Sequence, residues 1–405
     1  MTTARTATPS TARAINDRLA LDLLLGQGPL TAPELRRLTG LSRPTVADLL
    51  ERLQRSGLVE VVGESGEVRR GPNARLYALV ADRAHLGGID VRATGVGLVV
   101  ADLTGRTLAT AEIRAEEGAD SGDLAARTIR TLRKSAREAG AERLHTVAVG
   151  APGLVDPATG ELNHPEKLPR WHIDLLAALR AEPDTELILE NEVNLAGIAE
   201  HRIGAARDRD TFVLLWLGHG VGAAVVLDGR LRRGASGGTG EIGFLPVPGT
   251  EILPSATGCE GGFHSLVCSD AIWALARRHG LAVPGIAATP QSEAQAEAVT
   301  RAETVVRAAL DGGPAAAAFL DELAERIAVG AAALCVVLDP GCVVLGGEVG
   351  RAGGEQLADL VERRLAGLLP LRTEVRAGTA GGGAVLAGAV LTAGDAVRRD
   401  LFGEP

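Results

Sequence analysis

Aromatic side chains are almost missing: three Trp, one Tyr and five Phe in 405 residues. That scarcity argues against a single-strand nucleic-acid binder, whose affinity rests on stacking bases on aromatic platforms. Lysine is nearly absent as well, with Lys134 and Lys167 the only two, so arginine supplies almost all of the 42 basic residues. The four cysteines, Cys259, Cys268, Cys335 and Cys342, form no CxxC pair. This excludes a disulfide framework and the usual zinc-finger or ribbon spacings. The first apolar stretch, Leu19 to Leu25, is short and interrupted by Asp22, so it is no signal peptide. The longest apolar run, Ile327 to Val344, is broken by Asp339-Pro340 and reads as a buried helix followed by a strand. No span fits a bilayer, and the expected location is the cytoplasm.

The remaining composition, 46% hydrophobic and 23% charged, is that of a globular chain and excludes disorder. Its length suffices for two or three domains. Charge divides them. Residues 1–80 carry eleven Arg against eight acids, whereas the remainder carries 31 basic and 43 acidic residues, for a net charge of −9 overall. A basic head on an acidic body points to a polyanionic partner for the head alone, because phosphate contacts dominate nucleic-acid affinity.

The head shows a clear order of elements. Leu19, Leu21, Leu23 and Leu24 give Asn16–Leu25 helical spacing, ended by Gly26 and Gly28. Thr31-Ala-Pro-Glu34 is a capping box with proline in the first turn, and its helix stops near Gly40. Ser42-Arg43-Pro44-Thr45 restarts a helix to about Ser56, with Val46, Leu49, Leu50 and Leu53 inward and Gly57 as its stop. Strands follow at Leu58–Val62 and Arg75–Val80, joined by a glycine-containing basic segment. This is the order of a winged helix-turn-helix over residues 12–80, behind a flexible arm at residues 1–11.

In that geometry Arg43, Thr45 and Asp48, beside the Ser42 cap, face base edges in a major groove. Arg52 and Arg55 lie further along, toward phosphates. Arg69 and Arg70 sit at the wing tip, where guanidinium groups suit a narrow minor groove. The expected partner is double-stranded DNA. The other reading is a winged helix used for protein contacts, its arginines forming a solvated face.

After Val80 the pattern changes to strands and glycine turns. Leu86 to Asp102 and Thr107 to Ala111 read as strands, Asp123 to Glu138 as a helix, and Thr146-Val-Ala-Val-Gly150 as a strand entering a turn. Thr211 to Leu217, Gly218-His-Gly-Val-Gly222 and Ala224 to Leu227 repeat the strand, glycine turn and strand. Two related α/β lobes facing a cleft account for the repeat. Such turns present backbone N–H groups to phosphate, or simply satisfy hairpin geometry.

Six stretches resemble the ROK family (repressors, open reading frames and sugar kinases). They are Gly88-Ile-Asp90, Gly150-Ala-Pro-Gly-Leu-Val-Asp156, Glu190-Asn-Glu-Val-Asn-Leu-Ala196, Gly218-His-Gly-Val-Gly222, Gly240-Glu-Ile-Gly243 and Asp339-Pro-Gly-Cys-Val-Val-Leu-Gly-Gly347, in the family's order. The resemblance implies a two-lobed actin-like ATPase body over residues 84–400. Lobe one would take about 84–205 plus a C-terminal helix at 384–398, and lobe two about 206–383. With its winged head, the chain is similar to the family's repressor branch, that of xylose and N-acetylglucosamine repressors.

The departures from the family pattern bear on chemistry. Arg92 stands where the first phosphate loop has glycine, His219 replaces the threonine of the second loop, and Ala224 replaces a later glycine. The catalytic carboxylate, usually Asp, is Glu192, and a displacement of about an ångström costs on the order of 10²-fold in rate. The changes at Arg92, His219 and Glu192 argue against kinase activity and bound ATP. The family's zinc ligands are also replaced. Phe244 stands for a histidine, and Ala256, Gly258 and Phe263 for thiolates, with Cys259, His264 and Cys268 as an irregular alternative set. No cofactor is therefore expected.

The ligand-facing set implied by the family falls on Lys167, Asn191, Glu192, Gly220, Glu241 and Phe244, with Ser265 as a further counterpart. A buried hydroxyl without its partner costs about 1–3 kcal/mol, so a plain hexose should bind weakly. Phe244 and Phe263 imply a more apolar pocket wall, hence a modified or larger effector, or a pocket no longer used. The expected protein is a regulator: a homodimer or tetramer on an inverted-repeat operator, controlled by a small molecule in the cleft. The alternative is a ROK-type sugar kinase with an added DNA-binding head.

Overall fold

The computed structural model describes residues 9–65, 74–92, 95–115, 121–164, 168–248, 250, 252–255, 258, 260–281 and 294–403. Arg69 and Arg70 of the wing tip, Lys167, and Ala256 and Cys259 of the expected metal loop lie outside the described residues.

The head runs through α1 (Pro9–Gln27), β1 (Leu30–Thr31), α2 (Ala32–Thr39), α3 (Arg43–Arg55), β2 (Val59–Glu64) and β3 (Arg75–Leu79). α1 takes in residues 9–11, which the sequence reading places in the arm; the fixed φ of Pro9 suits a first helical turn. The capping box forms: Thr31 Oγ1 accepts the Glu34 N–H at 3.4 Å, and the Glu34 carboxylate accepts the Thr31 N–H at 2.7 Å. Gly40 closes α2 in the left-handed region, with φ of 71°, and the chain turns at once into Ser42, the N-cap of α3. The strands form one antiparallel sheet in the order β1-β3-β2. Leu21, Leu24, Leu35, Val46, Leu49, Leu50 and Leu53 form the core of the head.

The body consists of two lobes with one topology. In lobe one, β4 (His85–Arg92), β5 (Gly95–Asp102) and β6 (Thr107–Arg114) form a meander. α4 (Ser121–Glu138) and α5 (Arg170–Arg180) connect it to the parallel strands β7 (Thr146–Ala151) and β8 (Glu186–Asn191), and α6 (Glu192–Arg202) follows. Lobe two repeats the plan with the meander β9 (Phe212–Leu217), β10 (Val221–Leu227) and β11 (Arg230–Arg232). The helices α7 (His264–Val267), α8 (Ser269–Arg278), α9 (Ala294–Leu310) and α10 (Pro314–Leu338) lead to β12 (Cys342–Gly346). Then α11 (Gly347–Leu368) leads to β13 (Glu374–Ala377), and α12 (Ala384–Phe402) returns to lobe one. The strand orders, β6-β5-β4-β7-β8 and β11-β10-β9-β12-β13, correspond strand for strand.

α6 and α12 lie between the two sheets. Leu86, Val99 and Ala148 of the first sheet and Phe212, Leu214 and Val344 of the second share one apolar core with Leu195, Ala199, Ala389 and Ala393 of these helices. The outer faces are covered separately, by α4 and α5 over lobe one and by α8 to α11 over lobe two. Close packing at the centre needs a small residue: a Cβ at Gly388 of α12 would overlap the backbone of Leu195 in α6. The apolar run from Ile327 divides as the sequence implies, with Asp339 in the left-handed region between α10 and β12.

The chain crosses between lobes twice, at 203–211 and 378–383. One buried carboxylate near the end of α6 holds both crossings. Glu200 accepts the N–H groups of Ala205 at 2.7 Å, Thr379 at 3.1 Å and Ala380 at 2.9 Å. The head meets the body where Leu103 N–H donates to Ala81 O, and where Arg18 of α1 donates to Gly403 O just beyond α12. Among the described residues, no helix is long and apolar enough to cross a membrane.

Candidate functional site

Two regions concentrate the expected functional residues, and the first is the outer face of α3. Ser42 Oγ accepts the Thr45 N–H at 3.3 Å, satisfying one of the open donors of the first turn. Val46, Leu49, Leu50 and Leu53 anchor the inner face, leaving Ser42, Arg43, Thr45 and Asp48 exposed.

Arg52 is placed otherwise than the sequence reading has it. Its guanidinium donates to both carboxylate oxygens of Asp17, at 2.9 and 2.5 Å, and to Asp48 at 2.6 Å. It braces α3 against α1 instead of standing free for phosphate, and it draws Asp48 into the same cluster. Arg55 pairs with Glu51 at 2.7 Å on an exposed face, a contact easily exchanged for phosphate. Arg36 and Arg37, not among the residues expected to meet DNA, are exposed on α2. The first helix of such a motif crosses the DNA backbone, and this adjacent pair was the available signal.

The second region lies between the lobes, at the C-terminal ends of β4, β7 and β8. Asp90 lies opposite Gly97 on β5 and Gly150 on β7, and it is buried. Arg92 folds back over Gly97, donates Nε to Asp90 at 2.6 Å, and brings Nη1 to 3.6 Å from Glu112. Burial raises the Asp90 carboxyl, and Arg92 pulls it back down. The arginine at the first glycine-rich loop is thus held by the loop's own carboxylate.

Asn191 is occupied by the fold. Its Oδ1 caps α6 by accepting the N–H groups of Val193 at 2.9 Å and Asn194 at 3.2 Å, while Nδ2 donates to Gly153 O and Glu192 Oε2, each at 3.1 Å. All four hydrogen-bonding positions of the amide are taken, so in this arrangement it offers none to a ligand. Glu192, the first residue of α6, is pushed up to about 8 by burial, with Asp90 and Glu241 adding like-charge repulsion. Glu241 reaches in from lobe two, ahead of the short 3₁₀ turn Ile242–Phe244, and burial raises it too. Three carboxyl groups from both lobes share the cleft.

Gly220 is exposed in the turn between β9 and β10, where its carbonyl accepts the Gly218 N–H at 3.2 Å. The Glu348 carboxylate, from the first turn of α11, lies so close to Gly218 that a Cβ there would overlap it. Glu348 interacts with the Arg92 charge, and burial raises its carboxyl. Glu348 is not among the expected site residues, although it directly follows Gly347, the last residue of the Asp339–Gly347 motif. His264 is lowered by burial and by the neighbouring His219.

The expected apolar wall is halved. Phe263 is fully buried and its ring fills the space over Gly330 of α10, so it belongs to the core of lobe two. Phe244 remains open at 40% exposure. Ser265 donates its hydroxyl to Gly262 O at 2.7 Å. Phe244, Gly258 and Phe263 carry no metal-ligating atom, and among the described residues no group of three His, Cys, Asp or Glu could hold a metal. The side chains at these positions do not fit a structural zinc.

The sequence model of the ROK family matches residues 86–395, which is most of the chain. The protein belongs to the ROK family. The MarR family model matches residues 15–71, the winged head of this ROK chain. The chain is 22% identical to a xylose repressor of Caldicellulosiruptor bescii, over 87% of its own length and 88% of that protein. It is 27% identical to a glucokinase of Halalkalibacterium halodurans, over 72% and 88% respectively. Among solved structures, a ROK family transcriptional regulator homologous to the E. coli MLC protein superposes with a TM-score of 0.71 over 97% of both chains, at 21% identity. A ROK hexokinase from Thermus thermophilus superposes with a TM-score of 0.59 over 78% of this chain and 99% of that one, at 27% identity. ROK relatives therefore include repressors and kinases, and these two kinases cover about three quarters of this chain.

Proposed function

We propose that this ROK protein is a sequence-specific DNA-binding transcriptional regulator of the repressor type, governed by a small molecule in the interlobe cleft. The observation that carries the proposal is α3, capped at Ser42 and buried on one face, with Arg43 and Thr45 exposed at its N-terminus. Exposed Arg36 and Arg37 on α2 supply the backbone contacts. A cytoplasmic homodimer would read two half-sites of an inverted repeat about one helical turn apart, or at multiples of that.

Phosphoryl transfer is not part of the proposal, and neither ATP nor zinc is needed for it. Arg92 is held on Asp90, and Glu348 brings a carboxylate to the backbone that a phosphate would use. Glu192, raised to about 8, keeps its proton at neutral pH and is a poor general base there. The occupied Asn191 and the open Phe244 favour an effector with an apolar part over a plain hexose.

Selection of bound duplexes from a random pool tests the reading. Wild type is expected to enrich an inverted repeat and the Arg43→Ala/Thr45→Ala variant is not. Enrichment by neither protein, with ATP hydrolysis stimulated by a member of a sugar panel, would restore the kinase alternative.

A further inference from the structure

We infer that α12 carries the state of the interlobe hinge to the DNA-reading helix, with Glu200 acting at its start and Arg18 at its end. The inference rests on the reading of the head as a DNA binder.

At the start of α12, Glu200 is 3% exposed and its two oxygens hold three backbone N–H groups, drawn from both crossings between the lobes. Charge-assisted bonds of this kind are about twice as strong as neutral ones. With both crossings tied to one carboxylate, rotation of lobe two against lobe one must displace Thr379 and Ala380, and with them the first turn of α12. Glu200 stands on α6, whose first residue is Glu192 in the cleft. A ligand that moves α6 therefore acts on the clamp directly.

Along its length α12 is a continuous helix packed on α6, with Gly388 against the Leu195 backbone, so it shifts as a rod. At its far end Phe402 is buried under α1. The Arg18 guanidinium lies 5.8 Å from the centre of the Phe402 ring, and its Nη1 donates to Gly403 O at 2.6 Å. Asp22, one turn on, holds Arg18 Nε at 2.9 Å. Asp17, the residue before Arg18, grips Arg52 of α3 through both carboxylate oxygens. Two successive residues of α1 thus hold the end of α12 and the recognition helix. Another join among the described residues, Leu103 N–H to Ala81 O, is made by residues that belong to neither α1 nor α3. Arg18 is a positioning residue: it acts on DNA through α1 and α3.

Affinity coupling is reciprocal, so bound DNA must act back on the hinge, and no effector is needed to see it. The probe is the duplex enriched from the random pool, added to the full-length protein, with amide hydrogen exchange as the readout. In wild type the duplex is expected to slow exchange in α3 and also to change it at residues 378–380 and at the end of α12. In Arg18→Ala the change in α3 remains and the change at 378–380 is lost; Arg18→Lys, which keeps a donor to Gly403 O, recovers part of it. An unchanged thermal unfolding profile for Arg18→Ala excludes loss of the fold as the cause.

Persistence of the 378–380 change in Arg18→Ala overturns the inference. So does a wild-type response confined to the head, although DNA binding itself then stands. Loss of the α3 response in Arg18→Ala at saturating duplex also overturns it, by placing Arg18 in the DNA interface. No α3 response in wild type removes the DNA-binding reading and the inference with it.

Discussion

Asp17 and Arg52 form a bidentate pair that joins α1 to the recognition helix, Nε and Nη2 each donating to a separate carboxylate oxygen. Both side chains are less than a third exposed, so the pair is better shielded than a surface ion pair. The Asp17 hydrogen bond raises the Arg52 pKa above its already high ordinary value, so the guanidinium stays charged at any working pH.

Replacing Arg52 tests whether it braces or binds. Arg52→Ala is expected to lower stability by about 1–2 kcal/mol and to weaken DNA binding at every salt concentration, with the salt slope unchanged. A phosphate contact would instead show as a slope reduced by about one. Urea titration and binding isotherms at several salt concentrations separate the two.

Arg43→Ala should behave in the opposite way. The side chain is exposed on the first turn of α3, so stability stays within about 0.5 kcal/mol of wild type. Discrimination at one base pair of the operator falls by about 1–3 kcal/mol. Competition binding with single-base operator variants locates that base pair. Equal losses on all sequences would make Arg43 a phosphate contact.

The Phe263 assignment is tested through Gly330. A methyl group at residue 330 would overlap the Phe263 ring in the core of lobe two, so Gly330→Ala should destabilise that lobe by about 1–3 kcal/mol. Adding Phe263→Leu should recover part of the loss. Additive losses in the double variant, measured by chemical denaturation, would mean that the two residues do not touch.

Two groups whose pKa values are moved by burial give pH dependences of opposite sign. Glu192 has a folded pKa of about 8 against an ordinary 4.5, so its contribution to stability is complete below 4.5 and is lost as pH rises through 8. Glu192→Gln should therefore be more stable than wild type at pH 9, by on the order of 2 kcal/mol, and no more stable at pH 4.

His172 of α5 is lowered to about 4 by burial, and among the described residues neither ring nitrogen has a hydrogen-bond partner. Its contribution is present above its ordinary value of 6.5 and is lost as pH falls through 4. His172→Leu should remove about 2 kcal/mol of the stability that wild type loses between pH 7 and pH 5. Unfolding curves at the two pH values check this, and an unchanged difference would place His172 in contact with water.

Features encoded within a few residues are legible in the sequence. The Thr31–Glu34 box, the Ser42 cap and the break at Asp339 all depend on groups at most four positions apart, where backbone geometry leaves little choice. The duplicated strand and glycine-turn pattern was visible for the same reason, and with it the two-lobed body. Arg52 misled because its partner Asp17 is 35 residues away and on another helix. Asn191 misled because the same amide that suits a hydroxyl also suits a helix cap.

The order of elements, the capped recognition helix and the two matching lobes were thus determined by the sequence itself, through local hydrogen bonding and apolar spacing. Only the tertiary structure decided which polar side chains are already occupied. Arg92 turns onto Asp90, Glu348 onto Gly218, Phe263 into the space above Gly330, and Glu200 across two distant crossings. Hydrogen bonds and van der Waals contacts act over a few ångströms, whereas these partners are brought together only by the packing of α6 and α12 between two sheets.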